Sequence, residues 1–232
     1  MAPSANNDIS TASLPPPPST PPIALRPPTV APASPPRSFT PPPTAWLSGT
    51  WHVTHSTLPM WKSKRNVRIT YAPLPSSAAS TTASSAPAEA ATDRLDDLVT
   101  YQTLTSSKLK TVHGLDKAAG AGAWDWRGRG WLVVAGSRWE VLGWGDEAAS
   151  PPSPSSSPGA QGPGRRRQWV VTYFASTLFT PSGLDFYSRD ERGLLPWTVA
   201  GIKEALAASE DEGVRKLAGE VFEVRMDGAR TD

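Results

Sequence analysis

Short segments in which apolar and polar residues alternate constrain the fold of this chain most strongly, and most of them carry tryptophan. The 232 residues include ten tryptophans and no cysteine. In five segments the bulky alternating positions fall on one face: Trp51, Val53 and His55; Val67, Ile69 and Tyr71; Val99 and Tyr101; Trp169, Val171 and Tyr173; Leu184 and Phe186. A period of two is typical of half-buried β-strands.

The densest part of the chain, residues 123–145, predicts three consecutive antiparallel strands joined at Gly128-Arg129-Gly130 and at Gly136-Ser137. A helical period begins only at Pro196 and continues through Val221, which predicts a C-terminal helix against the outside of the sheet. About eight or nine short strands without intervening helices favour an antiparallel barrel or a sandwich.

Proline and serine concentrate in three stretches that carry few of the residues needed to build a core. Residues 1–43 hold runs of proline from Pro15 onward and predict a disordered, polyproline-like tail. Stretches near 75–92 and 146–166 predict disordered loop insertions between strands. The rest is the size of one domain, so we expect a single barrel over residues 44–227.

Composition excludes several classes of function. Without cysteine there is no disulfide, thiolate nucleophile or Cys-ligated metal, and an intracellular, cytoplasmic location is the default expectation. The net charge of +2 and the short basic clusters at 62–65 and 165–167 predict no nucleic-acid partner. No segment has the length of an apolar membrane span. No dinucleotide, phosphate-loop or metal-ligand spacing occurs, so we predict no metal and no cofactor.

Gly49-Thr50-Trp51 at the first strand, the run of antiparallel strands and the helix after them resemble the lipocalins and the wider calycin group. The resemblance covers roughly residues 46–210 and implies an all-β, up-and-down antiparallel barrel. It further implies that Gly49 and Trp51 close one end, and that Arg189 stacks on Trp51 as a structural cation–π partner. The middle motif of the family survives at most as Thr172-Tyr173-Phe174, and the family's disulfide is absent.

Barrels of this size either fill their interior with side chains or keep a cavity for one small molecule, and the sequence leaves both possibilities open. The leading hypothesis is binding of a small hydrophobic or aromatic ligand inside the barrel. The residues expected to form its wall are Trp61, Tyr71, Tyr101, Trp124, Trp126, Trp139 and Tyr173. Met60 and Trp61, between the first two strands, form either a lid or a permanent plug.

Two other functions remain open. One is a cofactor-free isomerase or cyclase acting on a hydrophobic metabolite, for which the candidate catalytic groups are His55, Tyr101, Tyr173 and Glu140. Other acidic residues in or beside strands are candidate acids or bases, although a surface ion pair is the simpler interpretation for each: Asp96, Asp97, Asp125 and Asp185. The other function is an interaction module whose residues 15–43 bind a polyproline-recognising protein.

Overall fold

A computed structural model describes residues 23–29, 39–75, 93–147, 167–178 and 180–230. The proline runs before residue 23, nearly all of the 75–92 stretch, most of the 146–166 stretch and Phe179 lie outside these residues. The disorder predicted there therefore stays a prediction, as does the polyproline partner.

Eight antiparallel strands close into a barrel, and a short ninth strand lies beside the first. The strands are β1 (Gly49–Ser56), β2 (Lys64–Pro73), β3 (Arg94–Thr103), β4 (Ser106–Gly120), β5 (Ala123–Gly128), β6 (Gly136–Asp146), β7 (Gln168–Phe174), β8 (Gly183–Ser188) and β9 (Phe222–Glu223). The helices are α1 (Thr44–Leu47), α2 (Pro196–Ala207) and α3 (Glu212–Ala218). Because each barrel strand pairs with its neighbours in sequence, and β1 pairs with both β2 and β8, the predicted up-and-down barrel is confirmed and the sandwich alternative is wrong.

Alternation along the strands separates two hydrophobic cores. Trp51, Ile69 and Trp139 belong to the core inside the barrel, where they are almost fully buried. Phe186 and Ile202 belong to a second core between the outer face of the sheet and α2. The C-terminal segment thus packs on the outside, as predicted, although as two helices, α2 and α3, rather than one.

The segment between β5 and β6 is not the strand that its sequence predicts. Residues Gly130–Leu132 form a short 3-10 helix, and Val133 and Val134 are 59% and 87% exposed. Two strands and a connecting loop therefore replace the three strands expected over residues 123–145. The apolar run has strand-like composition but lies at the rim of the barrel, where it has no strand partner.

The C-terminal segment fills a gap where β1 and β2 diverge. β9 pairs with His55 and Ser56 at the end of β1, and Val224, which is 1% exposed, donates its backbone N–H to the Thr54 carbonyl. On the other side, the Asn66 N–H donates to the Arg225 carbonyl. The seam between the first two strands is thus completed by residues far away in sequence.

Residues 23–29 lie along the outside of β6 and do not form part of a solvated tail. The Arg26 guanidinium pairs with Glu140 at 2.9 Å and donates to the Val141 carbonyl at 2.9 Å. Thr29 donates to Glu140 through both its N–H and its hydroxyl. A buried, multiply bonded ion pair therefore holds this proline-flanked segment against the barrel.

The end of the barrel near Trp51 is closed by α1 and by Arg189. The guanidinium carbon lies 3.6 Å from the centre of the Trp51 ring. The same guanidinium donates to the carbonyls of Trp46 at 2.6 Å, Ser48 at 2.6 Å and Thr50 at 2.9 Å. Arg189 therefore satisfies carbonyls at the end of α1 and the start of β1 while it stacks on the interior tryptophan.

Within the described part of the chain, no helix combines the length and the apolar character needed to cross a membrane.

We expect Arg189→Met to lower the free energy of unfolding by about 2–4 kcal/mol, because it leaves several carbonyls without a donor and removes the cation–π contact. Urea denaturation followed by tryptophan fluorescence measures the change. The matched control is Arg127→Met, at an exposed arginine of β5, with an expected effect within about 0.5 kcal/mol. Equal losses in the two variants would contradict this role for Arg189.

Candidate functional site

A cavity of about 510 Å³ occupies the half of the barrel opposite Arg189. Loops 57–63 and 129–135 and the described residues 175–178 and 180–182 surround its mouth. Its wall consists mainly of aromatic and aliphatic side chains, among them Ile69, Val99, Val112, Trp126, Trp139 and Phe174. This volume lies within the range of about 300–1,000 Å³ that is usual for small-molecule sites.

The floor of the cavity is a stack of aromatic rings across the barrel. The Tyr71 ring lies 5.4 Å from that of Trp139, which lies 5.9 Å from that of Trp124, and both pairs are near parallel at 18°. This stack fills the half of the interior nearer Arg189, and the half nearer the three loops stays open. The two possibilities left open by the sequence, a filled barrel and a cavity, therefore apply to opposite halves of one interior.

Three aspartates point into this aromatic interior from β3, β4 and β8. Asp97 and Asp185 line the cavity, and Asp116 lies below them. Asp116 accepts from the Trp139 indole N–H at 2.8 Å, and Asp185 accepts from the Trp61 indole N–H at 3.1 Å. The Trp126 indole N–H faces Asp97, and its ring lies directly over Gly114, where any Cβ would overlap it.

Burial raises the pKa of all three carboxyls. It raises the pKa of Asp116 and of Asp185 to about 7, although indole N–H donors and, at Asp185, the Ser56 hydroxyl partly oppose the shift. The pKa of Asp97 is raised well above its usual value, first by burial and then by the nearby carboxyl of Asp116. Neutral donors orient these groups without cancelling their charge, so the effect of burial on each pKa is only partly opposed.

Two tyrosine hydroxyls lie beside the carboxyls. Tyr187 is fully buried and lines the cavity, and its hydroxyl has no hydrogen-bond partner of good geometry, although those of Tyr71 and Thr172 are close to it. One oxygen of Asp97 also has no partner. Unpaired polar atoms buried in an apolar site are costly, and they are the natural contact points for a ligand.

The mouth combines a fixed and an exposed part. Trp61 is 5% exposed and is held by Asp185, so it forms part of the wall. Met60 is 50% exposed and Leu178 is 95% exposed at the rim. Trp61 is therefore a wall residue, while Met60 and Leu178 are apolar side chains at the mouth, past which a ligand would enter.

Four of the seven predicted wall residues line the cavity: Trp61, Tyr71, Trp126 and Trp139. Trp124 belongs to the aromatic floor beneath them. Tyr101 lies near the mouth, 6.3 Å from Trp61 and under the ammonium of Lys64, but does not line the cavity. Tyr173 faces outward into the core beneath the helices, so its prediction as a wall residue is wrong.

None of the four candidate catalytic residues lies on the cavity. A register shift between Val53 and His55 turns the His55 side chain outward, where its ring lies 5.6 Å from Phe186. Glu140 faces outward because Trp139 and Val141 on either side of it face inward, and it pairs with Arg26. With Tyr101 and Tyr173 placed as above, the four candidates do not share this cavity.

Sequence reasoning missed Asp116 and Tyr187 and assigned Asp97 and Asp185 to surface ion pairs. The signal in the sequence was the position of these residues in the strand alternation: Asp97 alternates with Val99 and Tyr101, and Asp185 lies two residues before Tyr187. A carboxyl on the inner face of a strand contradicts the usual pattern of polar residues facing water. Such a contradiction marks a site rather than a defect in the pattern.

The closed up-and-down barrel, with a helix at its start and Arg189 stacked on Trp51 at its closed end, is a lipocalin-like fold. Among solved structures, the chain is similar to the siderocalin Ex-FABP, described as functioning through dual ligand specificities. The identity is 14%, with a TM-score of 0.47 over 79% of this chain and 96% of that one. The sequence matches no protein-family model and no curated protein.

The substitution Asp185→Asn tests the electrostatics of the interior. Because the folded state raises the pKa of Asp185 to about 7, the unfolded chain releases this proton first, and the free energy of unfolding falls as pH rises from about 4 to about 7. Asparagine does not ionise, so we expect the variant to gain stability relative to the parent across this range, on the order of 1 kcal/mol or more.

Urea denaturation at about pH 4.5 and about pH 8 measures the difference between variant and parent at each pH. Asp125→Asn, at an exposed carboxyl of β5, is the control. A difference between Asp185→Asn and the parent that stays constant with pH would show that Asp185 does not have a raised pKa.

Proposed function

We propose that this protein binds a small, largely apolar or aromatic ligand inside the barrel. The observation that carries the proposal is the cavity of about 510 Å³, walled by aromatic and aliphatic side chains and open between three loops. An apolar body placed there is removed from water on several sides. Such burial contributes about 25 cal/mol per Å² of apolar area before the cost of losing translational freedom is deducted.

The rigidity of the site supports the same function. Trp139 is held by Asp116, and Trp61 by Asp185, so two of the rings that would contact a ligand are oriented before it arrives. A wall that does not need to be ordered on binding loses less conformational entropy. The barrel around it is closed, and its strands fix the spacing of the wall residues.

Filling the cavity tests the proposal. Val112 lines the cavity from β4, and its neighbour Thr111 is exposed on the other face of the same strand. We expect Val112→Phe to weaken binding of the apolar fluorescent probe 1-aminoanthracene by about tenfold or more, because the larger ring occupies the space of the probe. Titration of each protein with the probe, followed by its fluorescence, measures the affinity.

Thr111→Phe adds the same ring on the outside and is expected to change the affinity by less than about twofold. Circular dichroism confirms that both variants fold. Equal affinity in Val112→Phe and the parent, or no binding by the parent, would contradict a ligand site inside the barrel.

A further inference from the structure

The ionisable groups with charge that line the cavity, among the described residues, are all acidic. Two carboxyls, Asp97 and Asp185, line it, and within the described residues its lining includes no lysine, arginine or histidine. The remaining wall is mostly apolar. A purely hydrophobic ligand would leave these carboxyls with no new partner, so the cavity carries polar groups that such a ligand does not use.

The same protein pairs its other buried carboxylates with arginine. Glu140 lies 2.9 Å from Arg26, and Asp190 lies 3.0 Å from Arg192. Burial opposes the ionisation of Glu140, but hydrogen bonds from Thr29 and the charge of Arg26 together lower the pKa of this carboxyl. The hydrogen bond from Arg192 lowers the pKa of Asp190. The interior carboxyls, which lack such a partner, are therefore exceptions to the way this chain compensates buried negative charge.

Asp97 is the interior carboxyl most available to a ligand in the cavity. Its side chain is buried, and one of its oxygens has no hydrogen-bond partner. The titratable groups around it are the carboxyls of Asp96 and Asp116 and the phenols of Tyr71 and Tyr187, and the Trp126 indole faces it as a neutral donor. No group in this set supplies positive charge.

The Tyr187 hydroxyl gives an independent indication of a ligand. It is fully buried on β8, lines the same cavity, and has no partner of good geometry. Its oxygen can accept a hydrogen bond from a ligand donor. An unpaired carboxylate oxygen lies in one apolar chamber with a buried hydroxyl whose contacts to Tyr71 and Thr172 lack good hydrogen-bond geometry. Together they match a ligand group that carries several donors and a positive charge.

We propose that the ligand is an apolar primary amine whose ammonium group binds the Asp97 carboxylate and the Tyr187 hydroxyl, while its hydrocarbon part contacts the wall around Trp126 and Trp139. This assignment rests on the proposed function and specifies its ligand class. An ammonium has three donors and no acceptor, which suits the Asp97 carboxylate and the Tyr187 hydroxyl oxygen as acceptors. Its charge supplies the counter-ion that the interior carboxyls lack.

Amine binding is then coupled to proton release. In the empty cavity burial favours the protonated Asp97 carboxyl, whereas a bound ammonium favours the carboxylate. The carboxyl proton passes to solvent when the protonated amine binds, so the affinity for the amine rises with pH until the amine itself loses its proton. A neutral ligand of the same shape has no such pH dependence.

Three probes that share one hydrocarbon chain test the proposal: decylamine, 1-decanol and decanoate. Each is used to displace 1-aminoanthracene from the full-length protein at about pH 8, and calorimetry in two buffers of different ionisation enthalpy counts released protons. We expect decylamine to bind about tenfold or more tightly than decanol, with decanoate weakest and protons released only with the amine.

Variants assign the effect to the named residues. Asp97→Asn keeps the shape of the side chain and is expected to weaken decylamine by about tenfold while changing decanol by less than about twofold. Tyr187→Phe removes one acceptor and is expected to weaken decylamine by about threefold to tenfold, again sparing decanol. Asp125→Asn, on the outer surface of β5, is the control and should leave all three probes unchanged.

Equal binding of decylamine and decanol by the parent would overturn the amine assignment and leave the proposed apolar site intact. Decylamine binding that is unaffected by both Asp97→Asn and Tyr187→Phe would also overturn it. If none of the three probes displaces 1-aminoanthracene, or the parent does not bind that dye, the proposed function itself fails. Retained binding of decanol by both variants shows that they fold with the cavity intact.

Discussion

The shared pairing of β1 with β2 and β8 closes the barrel, and the position of every interior side chain depends on it. β1 pairs with β2 from Gly49 to His52, and beyond that point β9 and Val224 take the place of a strand partner. The register shift after Val53 occurs in the same stretch and turns His55 outward. The end of β1 therefore has a new strand partner in β9 and a histidine that points away from the interior.

Aromatic side chains fill one end of the barrel and line a cavity at the other end. At the end near Arg189, Trp51 and the stack of Tyr71, Trp139 and Trp124 fill the space between strands. At the other end the connecting loops surround the mouth of an open chamber. Since the stack forms the floor of that chamber, the residues that stabilise the fold also define the depth to which a ligand can enter.

Electrostatics separates the inside of this barrel from its outside. Outside, buried carboxylates such as Glu140 are compensated by arginine and attach flanking segments to the sheet. Inside, the donors that Asp97, Asp116 and Asp185 meet among the described residues are neutral, and burial raises the pKa of each carboxyl. An uncompensated carboxyl reduces the stability of the empty protein at neutral pH, and a cationic ligand would reverse that cost.

The sequence by itself determined the strand class, the approximate number of strands, a helical C-terminal segment outside the sheet and most of the aromatic wall, because the periods of strands and helices and the size of tryptophan act locally. Only the tertiary structure decided which face of β1, β6 and β7 points inward, since register shifts and barrel closure depend on distant partners. It placed Tyr173 and Glu140 outside. It brought Asp97, Asp116 and Asp185 together from three strands, because burial and the absence of a counter-charge are properties of the closed barrel rather than of any single strand.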